Sequence, residues 1–284
     1  MTPTLVRRQL PHAAPGPRAD VCARARDWAE IQERMLVPLY EAVYERLEVG
    51  SGTRLLGLDC GSGLALLMAA SRGAAVTGVE PAEPERLALA KERLLPDGSR
   101  PGEGADARLT AADPAVSDPG GAPYDVITDF QPIGCVAGDS EGLSARLESV
   151  APLAGRGAAV VLVGWGPPER CATSSVLRVA TKLADPLRST GSWRPALRDD
   201  LEEVAQRAGL RPDGSGRVAC PFGYADAESA VRGLLSTGLF DAAVGATDPA
   251  QVDKEVSEAL QAYVRADGTV WMPNVFRYLI ARTR

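Results

Sequence analysis

Residues 55–80, LLGLDCGSGLALLMAASRGAAVTGVE, constrain the fold more than any other stretch. A short apolar run meets a turn carrying Gly61 and Gly63, the helical segment LALLMAAS follows, and AVTGVE ends in Glu80. Strand, glycine turn, helix and second strand form a right-handed βαβ unit, which demands a parallel sheet covered on both faces. The rhythm continues downstream. PERLALAKERLL places Leu87, Ala90 and Leu94 on one helical face, RLTAA reads as a weak third strand, and DVITDF reads as a fourth. After the helix SEGLSARLESVAPL, AAVVLVGW is apolar throughout, as an interior parallel strand must be.

The flanks read differently. Residues 1–20 are Pro-rich and aperiodic, an N-terminal arm, and 27–47 should be helical, with Pro38 starting, kinking or splitting the helix. Beyond Trp165 the strand rhythm stops. A loop and helix, the amphipathic helix RDDLEEVAQRAGL, a short strand near RVACPF and two further helices follow, before GTVWMPNVFRYLIA (268–281) alternates as a closing edge strand. The expected organisation is an arm at 1–20, N-terminal helices at 21–52, a core at 53–165, a helical cap with the substrate region at 166–267, and a closing strand at 268–284.

Composition removes several functions. The net charge is −6, and no block of Lys or Arg exceeds a dipeptide, which argues against nucleic acid as a partner. No apolar run approaches the roughly 18 residues of a membrane span, and the N-terminus lacks a signal-peptide core, so no membrane partner and a cytoplasmic location are expected. Cys22, Cys60, Cys135, Cys171 and Cys220 are odd in number and hold no C-x-x-C pair, so they read as buried apolar groups rather than disulfides or metal ligands. The one histidine, His12, lies in the arm, which excludes a histidine base or a histidine metal ligand within the fold. Cys135 consequently has no base to activate it as a nucleophile.

The glycine turn is not a dinucleotide fingerprint, because Leu66 stands where G-x-G-x-x-G needs its third glycine. It resembles motif I of the class I S-adenosylmethionine-dependent methyltransferases, in the small-molecule (type 11, quinone-biosynthesis-like) branch. The resemblance runs on through Glu80, through TAAD with Asp113, PYDVITDF and LESVAPLAGRG, and into the final DGTVWMPNVFRYLIA, covering 27–282. It implies an α/β fold: a doubly wound, Rossmann-like, mostly parallel seven-stranded sheet with an antiparallel closing strand and a helical cap. It also implies S-adenosyl-L-methionine as cofactor, with Gly61 and Gly63 at the turn, Glu80 on the ribose hydroxyls and Asp113 at the adenine amino group.

The chain departs from the family at two positions. Gly57 stands where the family has its first acid, and Asp59 where it has its first glycine. Residues i and i+2 of a strand share a face, so Asp59 is positioned to supply the displaced carboxylate to the cofactor's ammonium. The opposite reading is that Asp59 obstructs the site or repels the cofactor's carboxylate. Phe130 and Gln131 follow the fourth strand at the carboxyl edge of the sheet, where ligands of open α/β sheets bind, and are expected cofactor contacts. Asp129 is a weak candidate for a general base. Tyr40, Trp165, Trp193, Tyr224 and Trp271 are the candidates for an aromatic substrate pocket, each with ordinary core packing as its alternative. Tyr44 shares a helix face with Tyr40, and Glu169, Arg170 and Asn274 read as structural.

Three functions follow in order. The first is methyl transfer to O, N or C of a small, secondary-metabolite-like acceptor, by a monomer or homodimer. In-line displacement from sulfonium needs placement and a dry pocket and at most a modest base, so it tolerates the lack of histidine. The second is a methyltransferase fold repurposed for cyclisation, rearrangement or elimination, and the third is a non-catalytic binding or partner protein.

Overall fold

The computed structural model describes residues 21–95, 107–112, 121–135, 139–184 and 200–284. The first described segment is one bent helical run. It comprises α1 (Val21–Asp27), a π turn (Trp28–Gln32), a 3-10 turn (Glu33–Leu36) and α2 (Val37–Arg46), with Pro38 in the first turn of α2. Proline is tolerated there because the first-turn N–H groups have no helical acceptor.

The sheet strands are β1 (Arg54–Leu58), β2 (Ala75–Val79), β3 (Ala107–Thr110), β4 (Tyr124–Ile133), β5 (Ala154–Trp165), β6 (Arg211–Ala219) and β9 (Val275–Arg282). Their order is β3-β2-β1-β4-β5-β9-β6. Strands β3 to β5 pair in parallel, whereas β9 runs antiparallel to both β5 and β6. A two-stranded ribbon of β7 (Phe222–Tyr224) and β8 (Val270–Met272) stands apart. This is the doubly wound, mostly parallel seven-stranded sheet expected from the sequence.

Two expectations are corrected. The alternating stretch 268–281 is two strands, not one, because Pro273 offers no N–H and Asn274 leaves the ladder to bond elsewhere. The Asn274 side chain accepts from Thr173 N at 3.1 Å, and its carbonyl accepts from Cys220 N at 2.9 Å. Nor is β9 an edge: β6, expected only as a short strand, takes that place with every second residue exposed.

Helices cover both faces. The remaining helices are α3 (Leu64–Ser71), α4 (Pro84–Leu94), α5 (Leu143–Val150), α6 (Thr173–Ala184), α7 (Asp200–Arg207), α8 (Ala227–Leu235), α9 (Asp241–Ala246) and α10 (Pro249–Leu260). Leu56, Leu58 and Ile127 face α5 and α7 in one buried cluster, while Leu55, Val126 and Phe130 face α2 and α3 in the other. Strand alternation therefore sorts β1 and β4 between two layers.

Gly57 and Gly78 are register partners on β1 and β2, and together they form a slot for Leu66 of α3. A Cβ at Gly78 would lie 2.4 Å from Leu66 Cδ1, 2.6 Å from Leu109 Cδ2 and 3.0 Å from Cys60 Sγ. Gly78→Ala is expected to destabilise by about 1–3 kcal/mol through overpacking, read from the urea midpoint. A midpoint equal to that of the wild type would contradict so close an approach of α3.

Candidate active site: a glycine turn closed by an N-terminal helix

The turn after β1 is built on three left-handed residues, Asp59 (φ 43°), Gly61 (φ 57°) and Gly63 (φ 79°). Glycine takes this conformation without steric cost, and aspartate is among the few other residues that tolerate it. Glu80, at the end of β2, reaches across to the turn: its carboxylate accepts from Gly61 N at 2.9 Å and from Glu83 N at 3.2 Å. Turn and second strand end are thereby fixed to each other.

The N-terminal helical run lies on this turn. A Cβ at Gly61 would come within 3.0 Å of Trp28 Nε1 and 3.1 Å of Glu33 Oε1. Glu33, 2% exposed, accepts from the Ser62 hydroxyl and from Arg93 Nη1 of α4 at 2.9 Å. Burial raises its pKa above the usual carboxylate range, while Ser62 and Arg93 pull the other way. Trp28 stacks on Arg86, whose guanidinium carbon lies 4.4 Å from the ring centroid. Its indole Nε1 is nevertheless buried with no hydrogen-bond partner. An unpaired buried donor costs about 1–3 kcal/mol, so a donor kept beside the turn suits an acceptor that arrives with a ligand.

Between β1, β4 and this helical run lies a narrow, partly open cleft lined by Trp28, Glu33, Tyr40, Asp59, Gly61, Phe130 and Gln131. Tyr40 closes it by packing on Phe130, ring centroids 4.7 Å apart. Tyr44 belongs to the core, donating from its hydroxyl to Ala65 O at 2.9 Å. The structure thus gathers Asp59, Gly61, Phe130, Gln131 and Tyr40 around one cleft, with Gly63 and Glu80 behind its glycine wall. Asp113 and Trp193 lie outside the described residues.

Asp59 does not sit where strand alternation would put it. Strand β1 ends at Leu58, and the left-handed turn swings the Asp59 carboxylate to the α5 side, where Arg146 Nη1 donates to it at 2.6 Å. Arg146 Nη2 donates at 2.9 Å to Asp129, which is 2% exposed. Asp129 also accepts from Gln131 N at 3.0 Å. Burial, and then the like charge of Asp59, push its pKa up to about 7, against the pull of Arg146. Sequence reading missed Arg146, Glu33 and Trp28. Glu33 lies off the apolar face of 27–47 at regular helical spacing and is carried inward by the π and 3-10 turns at 28–36, which periodicity does not show, whereas the neighbouring strand aspartates called for a cation.

The aromatic candidates part company. Trp165 packs on Phe276 at 4.6 Å and on Phe222 at 6.2 Å, and the Tyr224 hydroxyl donates to Gln32 at 2.9 Å, both within the buried core. Trp271 is 40% exposed beneath Arg265 and lines a separate open groove with Arg170, Tyr263 and Pro273. Cysteine placement also differs in part from expectation, for Cys22 is exposed. Burial raises the Cys60 and Cys135 thiols above their usual range, which keeps them inert. Among the described residues no cluster of three His, Cys, Asp or Glu could hold a metal, and no helix is long and apolar enough to cross a membrane.

No family model and no curated protein matches the chain by sequence. Solved structures match its fold. A Thiobacillus denitrificans S-adenosylmethionine-dependent methyltransferase, in complex with S-adenosylhomocysteine, aligns over 94% of this chain and 99% of its own, with TM-score 0.53 and 16% identity. The fold is that of the S-adenosylmethionine-dependent methyltransferases. YjhP from E. coli aligns over 91% of this chain and 98% of its own, with TM-score 0.51 and 20% identity. The [4+2]-cyclase SpnF aligns over 86% of this chain and 80% of its own, with TM-score 0.51 and 15% identity. In this methyltransferase fold the cleft described above stands at the carboxyl ends of β1 and β4, where open α/β sheets bind their ligands.

Proposed function

We propose that the chain binds S-adenosyl-L-methionine in the β1/β4 cleft and transfers its methyl group to O, N or C of a small-molecule acceptor. The observation carrying this reading is the joined turn: left-handed Gly61 and Gly63, with the Glu80 carboxylate on Gly61 N, under a cleft edged by Phe130 and Gln131. The residues present fit the cofactor. Trp28 Nε1 is an unpaired donor, a side chain at Gly61 would fill the cradle, and Asp59 lines the cleft as a carboxylate for an ammonium, while Glu80, held behind Gly61, is kept as the ribose contact on the sequence resemblance. Asp113 is retained as the adenine contact on the strength of the sequence resemblance alone.

When bound, the cofactor supplies an electrophilic methyl on sulfonium. The protein's part is placement and dryness. Tyr40 and Phe130 exclude water from the cleft, Gln131 presents an amide at its rim, and the turn holds the ligand's polar end. A base is needed only for an acceptor that is not already acidic. Asp129 is a poor choice for that role because its carboxylate is buried and bound by Arg146 and Gln131 N.

A second reading is favoured by one observation: the Asp59 carboxylate is paired with Arg146 rather than left free for a cofactor's ammonium. A methyltransferase fold used for cyclisation or rearrangement would share that fold with SpnF, a [4+2]-cyclase. Product mass separates the readings. Incubation with S-adenosylmethionine and a panel of phenols, amines and acidic carbon compounds is expected to yield a product heavier by CH2, a methyl having replaced a proton, together with S-adenosylhomocysteine. An isomer of the input, formed without S-adenosylhomocysteine, would support repurposing and contradict transfer.

A further inference from the structure

The ligand proposed for the cleft carries an ammonium and a sulfonium at one end, so a negative charge is needed where that end lies. Three of the nearby positions do not supply it. Gly57 has no room for a side chain, since its Cβ would stand 2.9 Å from Leu66 Cδ2. Glu33 is paired with Arg93, and Glu80 is committed to two backbone N–H groups. Asp59 lines the cleft but is paired with Arg146. That guanidinium, however, is shared with Asp129. Two carboxylates on one cation leave one negative charge uncompensated.

We propose that Arg146 is a positioning residue: by bridging Asp59 and Asp129 it fixes Asp59 at the cleft edge and makes the three side chains one anionic unit for the ammonium end of the cofactor. This rests on reading the cleft as a cofactor site. The groups facing the unit are Asp59 and, beyond the turn, Glu80 from the β1/β2 side, Asp129 and the Gln131 N–H from β4, and Arg146 from α5. Burial and the like charge of Asp59 push Asp129 up to about 7, so the unit loses negative charge as pH falls through that range. A cation bound beside Asp59 favours ionised Asp129. Binding near neutrality therefore releases a proton, and affinity rises with pH.

The test is calorimetric titration of S-adenosylhomocysteine, which retains the ammonium, into wild type, Asp129→Asn, Arg146→Met and Arg146→Lys. It is run from about pH 6 to about pH 8.5 in buffers of different ionisation enthalpy. Wild type is expected to gain about fivefold in affinity across the range and to show buffer-dependent heat near neutrality. Asp129→Asn should bind about tenfold more weakly at the upper end and lose both the pH slope and the proton release. Arg146→Met should move the midpoint up by roughly one pH unit, and Arg146→Lys should restore most of the wild-type profile. A wild-type profile that is flat in pH, with Asp129→Asn and Arg146→Met binding as wild type does, would overturn the inference while leaving the cofactor reading standing. No wild-type binding at any pH would overturn both. Should a variant fail to fold, the buffer dependence of the wild-type heat decides on its own.

Discussion

Arg146→Met is expected to destabilise the protein by about 1.4 kcal/mol more at about pH 8.5 than at about pH 6, the equivalent of a one-unit rise at Asp129. The guanidinium is partly exposed and its own loss costs little. The cost arises at Asp129, a fully buried carboxylate left without its cation. Breaking one partner of a buried pair strands the other charge, whereas protonation removes the charge and most of the penalty. The direction with pH follows from the shift. In the folded wild type Asp129 titrates at about 7, above its ordinary 3.8, so the folded state holds its proton more tightly than the unfolded chain. The contribution of this group is then fully present below the unfolded value, declines as pH rises between the two values, and is lost above about 7. Removing Arg146 raises the folded value further, so the decline continues to higher pH and the gap to wild type widens. Denaturant unfolding at the two pH values measures this. A gap of equal size at both would show that Asp129 is not the group left stranded.

Glu33→Ala is expected to cost about 3 kcal/mol at neutral pH and to loosen the cover of the cleft. Glu33 joins three elements that are distant in sequence: the N-terminal helical run, Ser62 in the turn and Arg93 on α4. Truncation leaves Ser62, fully buried, without one partner, and opens a void beside Gly61. Glu33→Gln keeps a hydrogen-bonding group of the same shape and should cost less than half as much. Thermal or denaturant unfolding gives the ranking, and hydrogen exchange at residues 28–40 reports the loosening. If both variants unfold as wild type does, the helical run is not anchored through this carboxylate.

The sheet was legible because its physics is local. Interior parallel strands must be apolar on both faces, so RLLGL, DVITDF and AAVVLVGW announce themselves, and the glycine turn marks where β1 passes into α3. The closing segment was misread because alternation runs unbroken across Pro273 and Asn274. The break depends on what Asn274 bonds to, namely Thr173 and Cys220, and sequence periodicity cannot show that. The same limit applies at Asp59. Residues i and i+2 share a face only while the chain remains a strand, and the left-handed Asp59 ends the strand. Its true partner, Arg146, is 87 residues away and becomes visible only once α5 lies on the sheet. Trp165 and Tyr224 illustrate the opposite case, in which aromatic type suggested a pocket and burial places both in the core.

Calorimetric titration of wild type with S-adenosylhomocysteine decides the claim that the cleft between β1 and β4 receives an adenosyl cofactor. A single site per chain is expected, with a dissociation constant on the order of micromolar, abolished in Gly61→Val, whose side chain would enter the space beside Trp28 and Glu33. Absence of heat and of any thermal shift at about millimolar ligand would contradict the claim.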